Sequence, residues 1–309
     1  YQSNDIELAH QLNAELRKSN LSPRLLFVSN LKDKKVQKDV IGLFKKENIN
    51  AVITSTSFST VSFDENYSGK TIWDELKVPI FQILISNKSK KNWLQSSRGL
   101  DQIDFSIQVV LPELDGRINT QIVAFKESAE TNEILSTVIT KTIPYKEGLN
   151  WLVQHIKAWL KLAIKPNKEI KIALIMSNYP NKDGRLGNGV GLDTPQSIVN
   201  MLNWLYENDY SIRKSDIPSN GNELISLILQ KRTNSQESNS KPPLDYLDLK
   251  QYLSYWETIS KKSCMKIVDK WGLPQDSKEL ENESFPIHGI QLGNISILIQ
   301  PSRGYNEDN

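Results

Sequence analysis

The sequence predicts an α/β protein with two Rossmann-like or flavodoxin-like units, each built on a mostly parallel sheet, joined by a helix. Helix and strand patterns alternate along the chain, which is typical of parallel sheets covered by helices. The strand patterns are short apolar runs, as expected where both faces of a sheet are covered. A long periodic helix near the middle separates two such stretches. We therefore expect a first unit at residues 1–145 and a second unit at residues 146–309.

The predicted elements of the first unit follow one another closely. They are helices at 5–18 and 36–47 and strands at 25–29, 51–55, 80–86, 105–111 and 120–125. The last two strands flank a predicted turn at Asp115 and Gly116, because Asp and Gly favour turn conformations. Ser, Thr and Asn follow several of the strands, at the edge where open α/β sheets bind ligands, although these residues are also ordinary loop formers.

The second unit is predicted to begin with the connecting helix, 147–163, whose apolar residues recur at helical spacing. Strand 170–176 leads through a glycine-dense loop into a helix with Thr194 as the predicted N-cap and Pro195 in its first turn. The other predicted elements are strands at 211–217 and 295–300 and helices at 222–231, 247–260 and 263–271. The segment near 232–245 is polar and is predicted to be a flexible or extended insertion.

Composition excludes several classes of function. The 309 residues carry 38 basic and 36 acidic side chains, a net charge of +2, which is too balanced to indicate a nucleic-acid partner. No apolar run approaches the roughly 20 residues needed for a membrane span, and no secretory signal is evident. Cys264 is the single cysteine, so no internal disulfide can form. We expect a cytoplasmic protein with no membrane span.

The glycine-dense loop at residues 178–197 is the most informative segment. Gly187, Gly189 and Gly191 allow positive φ angles and close approach of the backbone to a ligand. The N-terminus of the following helix favours phosphates or carboxylates. The spacing matches neither a P-loop nor a dinucleotide motif, so no nucleotide site is indicated. A flexible connection between strand and helix is the alternative interpretation.

Two carboxylates and one arginine are further candidates for chemistry. Glu113 and Asp115 would point to one face if the chain there is extended, and could then approach a divalent cation or accept protons. An acidic hairpin turn is the alternative. Arg303 follows the last strand and could bind a carboxylate or phosphate, or lie in an exposed turn.

The three histidines lie far apart in the sequence and show no zinc-binding spacing. His155 shares a helix face with Trp151 and Trp159, which could stack on a flat macrocycle or simply pack in the core. His288 precedes the final strand and could be a surface residue or a site residue.

Four segments together resemble the large subunit of the class I tetrapyrrole metal chelatases, the family of cobaltochelatase CobN and the magnesium chelatase H subunit. They are residues 97–100 with 108–118, 178–197, 292–294 and 300–304. The Leu-Pro-Glu-Leu-Asp-Gly-Arg-Ile sequence at 111–118, followed by Ala-Phe-Lys-Glu at 124–127, looks more like the cobalt branch.

The resemblance implies part of an ATP-dependent cobaltochelatase that inserts Co²⁺ into the corrin precursor hydrogenobyrinic acid a,c-diamide. ATP would be hydrolysed by partner subunits of the CobS and CobT type rather than bound by this chain. The alternative within the family is a magnesium chelatase H subunit, which inserts Mg²⁺ into protoporphyrin IX with ChlI and ChlD type partners. A non-catalytic small-ligand-binding or scaffold module is the alternative from another class.

The resemblance also implies roles for individual residues. Glu113 and Asp115 would be catalytic, as proton acceptors or carboxylates on the metal's approach. The substrate-binding residues would be Arg303, as an anchor for a ring carboxylate, and a backbone cradle formed by Gly187, Gly189, Gly191, Asp193 and Thr194. Metal ligands remain unassigned. The family's His-Gly-x-Leu-Glu segment lies downstream of the matched residues, so we expect an internal fragment that is inactive alone.

Overall fold

The computed structural model describes residues 5–60, 71–132, 137–178 and 186–301. The chain divides into two compact units, Tyr1–Ile164 and Lys165–Asn309, and each is described by itself. Helices together with a mostly parallel four-stranded sheet in the first unit and a mixed three-stranded sheet in the second confirm the predicted α/β class. Within the described ranges, no helix is long and apolar enough to cross a membrane.

The first unit contains a four-stranded sheet, six α-helices and one π-helical turn among its described residues. The strands are β1 (Val52–Thr54), β2 (Ile80–Ser86), β3 (Ile118–Asn132) and β4 (Thr137–Pro144). The α-helices are α1 (Glu7–Lys18), α2 (Lys34–Glu47), α3 (Lys90–Gln95), α4 (Gln102–Phe105), α5 (Leu111–Glu113) and α6 (Lys146–Ala163), and a π-helical turn, Ser106–Val110, joins α4 to α5.

The sheet of the first unit has the order β1-β2-β3-β4, with β1, β2 and β3 parallel and β4 antiparallel to β3. Successive side chains of β2 point to opposite faces. Phe81 and Ile83 pack with residues of α1 and α6, whereas Ile80 and Leu84 belong to other clusters of buried residues. The central strand is therefore covered on both faces, as its apolar run predicts.

The helix predicted to connect the units belongs to the first unit. Leu149, Leu152 and Ile156 of α6 are buried in one cluster with Phe81 and Val123 of the sheet. The apolar stripe of α6 is therefore buried within the first unit. The structure divides the chain into compact units after residue 164, whereas the sequence predicts a boundary at residue 145.

Two predicted strands of the first unit are wrong. Residues 25–29 join no sheet, and Leu25, Leu26 and Phe27 are 42–54% exposed. Residues 105–111 are helical, because Asp101 caps α4 by accepting the Asp104 N–H at 2.8 Å and the helical path then continues to α5. The apolar run alone did not reveal this cap. Strand β4 was not predicted.

The second unit contains a three-stranded sheet and two small two-stranded sheets among its described residues. The strands are β5 (Ile172–Met176), β6 (Asn188–Gly189), β7 (Leu192–Asp193), β8 (Asp245–Asp248), β9 (Ser284–Ile287), β10 (Gly289–Leu292) and β11 (Ile295–Ile299). The α-helices are α7 (Thr194–Glu207), α8 (Gly221–Leu229), α9 (Leu249–Trp256) and α10 (Lys261–Trp271).

The main sheet of this unit has the order β10-β11-β5, with β11 parallel to β5 and antiparallel to β10. Ile295, Ile297 and Ile299 of β11 are buried against a core to which α7 and α8 contribute. Ile175 of β5, on the opposite face, is 65% exposed. The described residues therefore cover one face of β5, whereas its apolar run predicted cover on both.

Three local predictions in the second unit need correction. Residues 211–217 form no strand but contain the 3₁₀ turn Lys214–Asp216. Residues 232–245 are not a loose insertion, since Thr233 and Ser238 are 1% exposed and the Thr233 N–H donates to Ser238 Oγ at 2.9 Å. Asp193 rather than Thr194 is the N-cap of α7.

Candidate functional site

The two carboxylates of the acidic turn lie in different environments. Glu113 ends α5, is exposed and accepts a hydrogen bond from Asn119 Nδ2 at 2.8 Å. Asp115 lies in the turn that follows, where its N–H donates to Pro112 O at 3.0 Å, and is 4% exposed. The extended geometry that would put both on one face is therefore wrong.

Asp115 forms a fully buried ion pair with Arg117, whose Nη2 lies 2.6 Å from Asp115 Oδ2. The carboxylate also accepts hydrogen bonds from Ser59 Oγ at 2.5 Å and from Thr60 N at 2.9 Å. Arg117 donates its other N–H groups to Thr56 O, Phe58 O and Gln82 Oε1 at 2.7–3.0 Å. The pair therefore ties the loop after β1 to β2 and to the start of β3.

The electrostatics of Asp115 favour a structural role. Burial acts to raise the pKa of this carboxyl, but hydrogen bonds from Ser59 and Thr60 and the charge of Arg117 outweigh burial and lower the pKa below its ordinary value. A carboxylate with a lowered pKa is a weak base. Its oxygens are also occupied by protein donors, whereas the Glu113 carboxylate is exposed.

The described part of the glycine-dense loop, from residue 186 onward, forms a short hairpin. Gly187 has φ of 69°, and its N–H donates to Ser177 O at 2.9 Å. Strands β6 and β7 pair antiparallel around an exposed turn in which Gly191 has φ of 73°. Gly189 lies in β6. The positive φ values at Gly187 and Gly191 explain these two glycines by backbone conformation alone.

The N-terminus of α7 is already occupied by a carboxylate. Asp193 Oδ1 accepts the Gln196 N–H at 3.0 Å, and Thr194 is the first residue of the helix. A helix N-terminus attracts negative charge, and here the Asp193 side chain supplies it. The arrangement therefore supports a capping role for Asp193, which positions α7. The substrate-binding role for this loop stays a prediction, and Arg303 and residues 179–185 lie outside the described residues.

His155 is engaged within its own unit. Its ring stacks on Trp151 at a centroid distance of 4.5 Å and meets Phe81 edge-on at 5.8 Å, and Trp159 Nε1 donates to His155 Nε2 at 3.2 Å. Trp151 and Trp159 remain 42% and 40% exposed. Among the described residues, no group of three or more His, Cys, Asp or Glu side chains is placed to hold a metal ion.

A cluster of polar side chains, which we call the strand-end cluster, lies at the carboxyl ends of β5 and β11. It consists of Asn178, Arg232, Asn234 and His288. Asn178 follows β5 by two residues, and His288 lies beside the end of β11, where its carbonyl accepts the Ile299 N–H at 3.0 Å. The carboxyl edge of parallel strands is the usual ligand-binding edge of open α/β sheets.

Asn234 fixes the tautomer of His288. Asn234 Nδ2 donates to Gln300 O at 2.8 Å, so its Oδ1 faces His288 Nδ1 as an acceptor at 2.9 Å. His288 Nδ1 therefore carries the proton, and Nε2 of the neutral ring presents a lone pair. This Nε2 atom is buried and has no hydrogen-bond partner among the residues that the structure describes.

Arg232 and Glu281 set the charge around His288. Arg232 Nη1 lies 2.6 Å from Glu281 Oε1, in a pair that is 9% and 37% exposed. Burial lowers the pKa of His288, the positive charge of Arg232 lowers it further, and Glu281 opposes both. The imidazole is therefore neutral at pH 7.

The sequence only partly indicated this cluster. Asn178 opens the glycine-dense motif, but its burial depends on strand packing. Arg232 and Asn234 lie in the segment that was predicted to be an insertion. No local pattern marks them, because their neighbours have the composition of an ordinary loop.

Arg117→Met tests the buried ion pair. Removing one partner leaves Asp115 buried and uncompensated, so we expect the free energy of unfolding to fall by roughly 3–5 kcal/mol in urea denaturation. Lys45→Met is the matched control in the same unit, because the two side chains of the Lys45–Glu75 pair are 53% and 62% exposed. This substitution should change the free energy of unfolding by no more than about 1 kcal/mol. Equal effects of the two substitutions would contradict a structural role for Asp115 and Arg117.

The pH dependence of stability tests the environment of His288. An unfolded histidine has a pKa of about 6.5, and the folded pKa is lower, so the unfolded state takes up the proton first. The contribution of His288 to the free energy of unfolding is therefore fully present above about pH 6.5 and is lost as the pH falls below that value. In the His288→Gln variant, the free energy of unfolding measured by urea titration should decline less steeply between about pH 7 and 5. His10→Gln, which removes an exposed histidine, is the control variant.

Known proteins resemble this chain over most of its length. The family model described as CobN/Magnesium Chelatase matches residues 1–309. The aerobic cobaltochelatase subunit CobN of Pseudomonas aeruginosa is 34% identical over 232 residues, which cover 75% of this chain and 18% of that protein. The chloroplastic magnesium-chelatase subunit ChlH of Oryza sativa subsp. indica is 24% identical over 264 residues, which cover 84% of this chain and 18% of that protein.

A solved structure shares the fold. The catalytic subunit of cobaltochelatase from Mycobacterium tuberculosis superposes with a TM-score of 0.79 at 20% identity, covering 98% of this chain and 25% of that chain. The chain thus spans about a fifth to a quarter of the length of the proteins compared above. The match of the family model to every residue, 1–309, shows that the chain belongs to the CobN/magnesium chelatase family.

Proposed function

We propose that this chain is part of the large, tetrapyrrole-binding subunit of an ATP-dependent cobaltochelatase that inserts Co²⁺ into hydrogenobyrinic acid a,c-diamide. The observation that carries the proposal is the 34% identity to a cobaltochelatase subunit, against 24% to a magnesium-chelatase subunit. The sequences at 111–118 and 124–127, which look like the cobalt branch, support the same choice. Mg²⁺ insertion into protoporphyrin IX is the second candidate.

Metal insertion makes three chemical demands on the protein. The ring must be held and distorted, its two inner N–H protons must be removed, and the metal must lose water. Glu113 is an exposed carboxylate that can accept a proton or meet an approaching cation. In this proposal Arg303 anchors a ring carboxylate and the loop of residues 187–194 shapes the surface beside it. ATP hydrolysis belongs to separate partner subunits of the CobS and CobT type.

Ring selectivity tests the proposed function. The full-length protein should bind hydrogenobyrinic acid a,c-diamide at least about tenfold more tightly than protoporphyrin IX, a difference of about 1.4 kcal/mol in binding free energy. Fluorescence quenching by each ring gives both dissociation constants. A preference for protoporphyrin IX would favour the magnesium chelatase instead, and binding of neither ring would favour a non-catalytic module.

Glu113→Gln tests the proton-acceptor role. In the complete chelatase complex we expect the rate of metal insertion to fall by about 100-fold, because general-base catalysis contributes about 10²–10⁴. The affinity for the ring should stay within about twofold, since amide and carboxylate have the same shape. Glu75→Gln, which changes another exposed glutamate of the first unit, is the control. An unchanged insertion rate would exclude Glu113 as a proton acceptor.

A further inference from the structure

The strand-end cluster contains polar atoms whose hydrogen-bonding capacity is unused. Asn178 is 4% exposed, yet among the described residues neither its Nδ2 nor its Oδ1 has a hydrogen-bond partner. Within the same part of the chain, Nε of Arg232, which is 7% exposed, and Nε2 of His288 also have no partner. Each such atom costs about 1–3 kcal/mol if nothing bonds to it, and buried polar atoms in folded proteins nearly always have a partner. These atoms therefore mark a place where the described residues leave hydrogen-bonding capacity unused.

The strand register places the unpartnered atoms on one edge of the sheet. Gln300 N donates to Met176 O at 2.9 Å, and Ile299 N donates to His288 O at 3.0 Å. His288 and Asn178 therefore flank the end of β11 on its two sides. Neighbouring strands lie about 4.8 Å apart, and Asn178 lies two residues beyond Met176, which pairs with Ile299, so the backbones of Asn178 and His288 are more than about 10 Å apart.

The chemistry of the unpartnered atoms selects the kind of group. Asn178 Nδ2 and Arg232 Nε are donors, whereas Asn178 Oδ1 and the His288 Nε2 lone pair are acceptors. A carboxylate only accepts, so it would leave both acceptors unsatisfied. A primary carboxamide both donates and accepts, and it can pair with the Asn178 amide through two antiparallel hydrogen bonds.

We propose that the strand-end cluster binds a primary carboxamide and that Asn178 is the residue that distinguishes this group from a carboxylate. The carbonyl oxygen of the ligand accepts from Asn178 Nδ2, and its NH₂ group donates to Asn178 Oδ1. Arg232 Nε and His288 Nε2 supply the remaining donor and acceptor. The identification of the ligand as an amidated side chain of the corrin ring rests on the proposed function, whereas the carboxamide chemistry rests on the cluster alone.

A pair of rings tests the proposal in the full-length protein. Hydrogenobyrinic acid and its a,c-diamide differ only in whether two side chains end in carboxylates or carboxamides. The wild-type protein should bind the diamide at least about tenfold more tightly. Asn178→Asp, which keeps the shape and replaces the donor with an acceptor, should weaken binding of the diamide by at least about tenfold and remove the preference. Asn222→Asp, at an exposed asparagine of α8, should keep the wild-type ratio.

A folded Asn178→Asp protein with the wild-type ratio would overturn the proposal and assign the unpartnered atoms to buried water. A second measurement covers the cases in which the variant does not fold or the wild-type protein binds neither ring. Acetamide and acetate are then compared as probes of the wild-type protein, with the ¹H–¹⁵N signal of the Asn178 side chain as the readout. A shift that saturates with acetamide and is absent with acetate supports the carboxamide site even if the proposed function fails. Equal responses, or none, would reject it.

Discussion

The parallel pairing of β11 with β5 is the constraint on which the second unit depends. It joins residues 172–176 to residues 295–299, which are far apart in the sequence, and buries Ile295, Ile297 and Ile299 on the face that meets α7 and α8. The same register fixes which residues lie at the carboxyl edge. Asn178 and His288 flank one strand end because their strands are in register, and not because of anything in their local sequence. The core and the strand-end cluster are therefore two consequences of one pairing.

The Asp115–Arg117 pair plays the corresponding role in the first unit by a different kind of interaction. Removing both charges from water is costly, and the cost is offset because Ser59, Thr60 and three further oxygens complete the hydrogen bonds. Such a network contributes less to net stability than to specificity, since any other arrangement leaves a charge buried without partners. It fixes the loop after β1 against β2 and β3 and leaves Glu113 outside, in solvent.

The sequence predicted elements that carry their own local signals. The helices α2, α6 and α7 and the strands β2, β5 and β11 were predicted from periodicity, caps and apolar runs. The error at 105–111 arose because an apolar run does not distinguish strand from helix, and the Asp101 cap decided the outcome. Residues 232–245 were misjudged because their order comes from buried hydroxyl contacts. For the site, Asn178 lay inside a recognised motif, but its burial and its missing partners are properties of the folded chain.

A residue within a family signature can be explained either by its role in folding or by contact with a ligand. Unused hydrogen-bonding capacity distinguishes these two explanations. Asp115 has all its hydrogen bonds within the protein, Gly187 and Gly191 are explained by positive φ, and Asp193 caps a helix. Their presence needs no contact with a ring. The exposed carboxylate of Glu113 and the buried amide of Asn178 differ, because the described residues give the first no buried partner and the second no partner. At these two positions the described chain leaves hydrogen-bonding capacity available, which is why the proposals assign ligand contact to them.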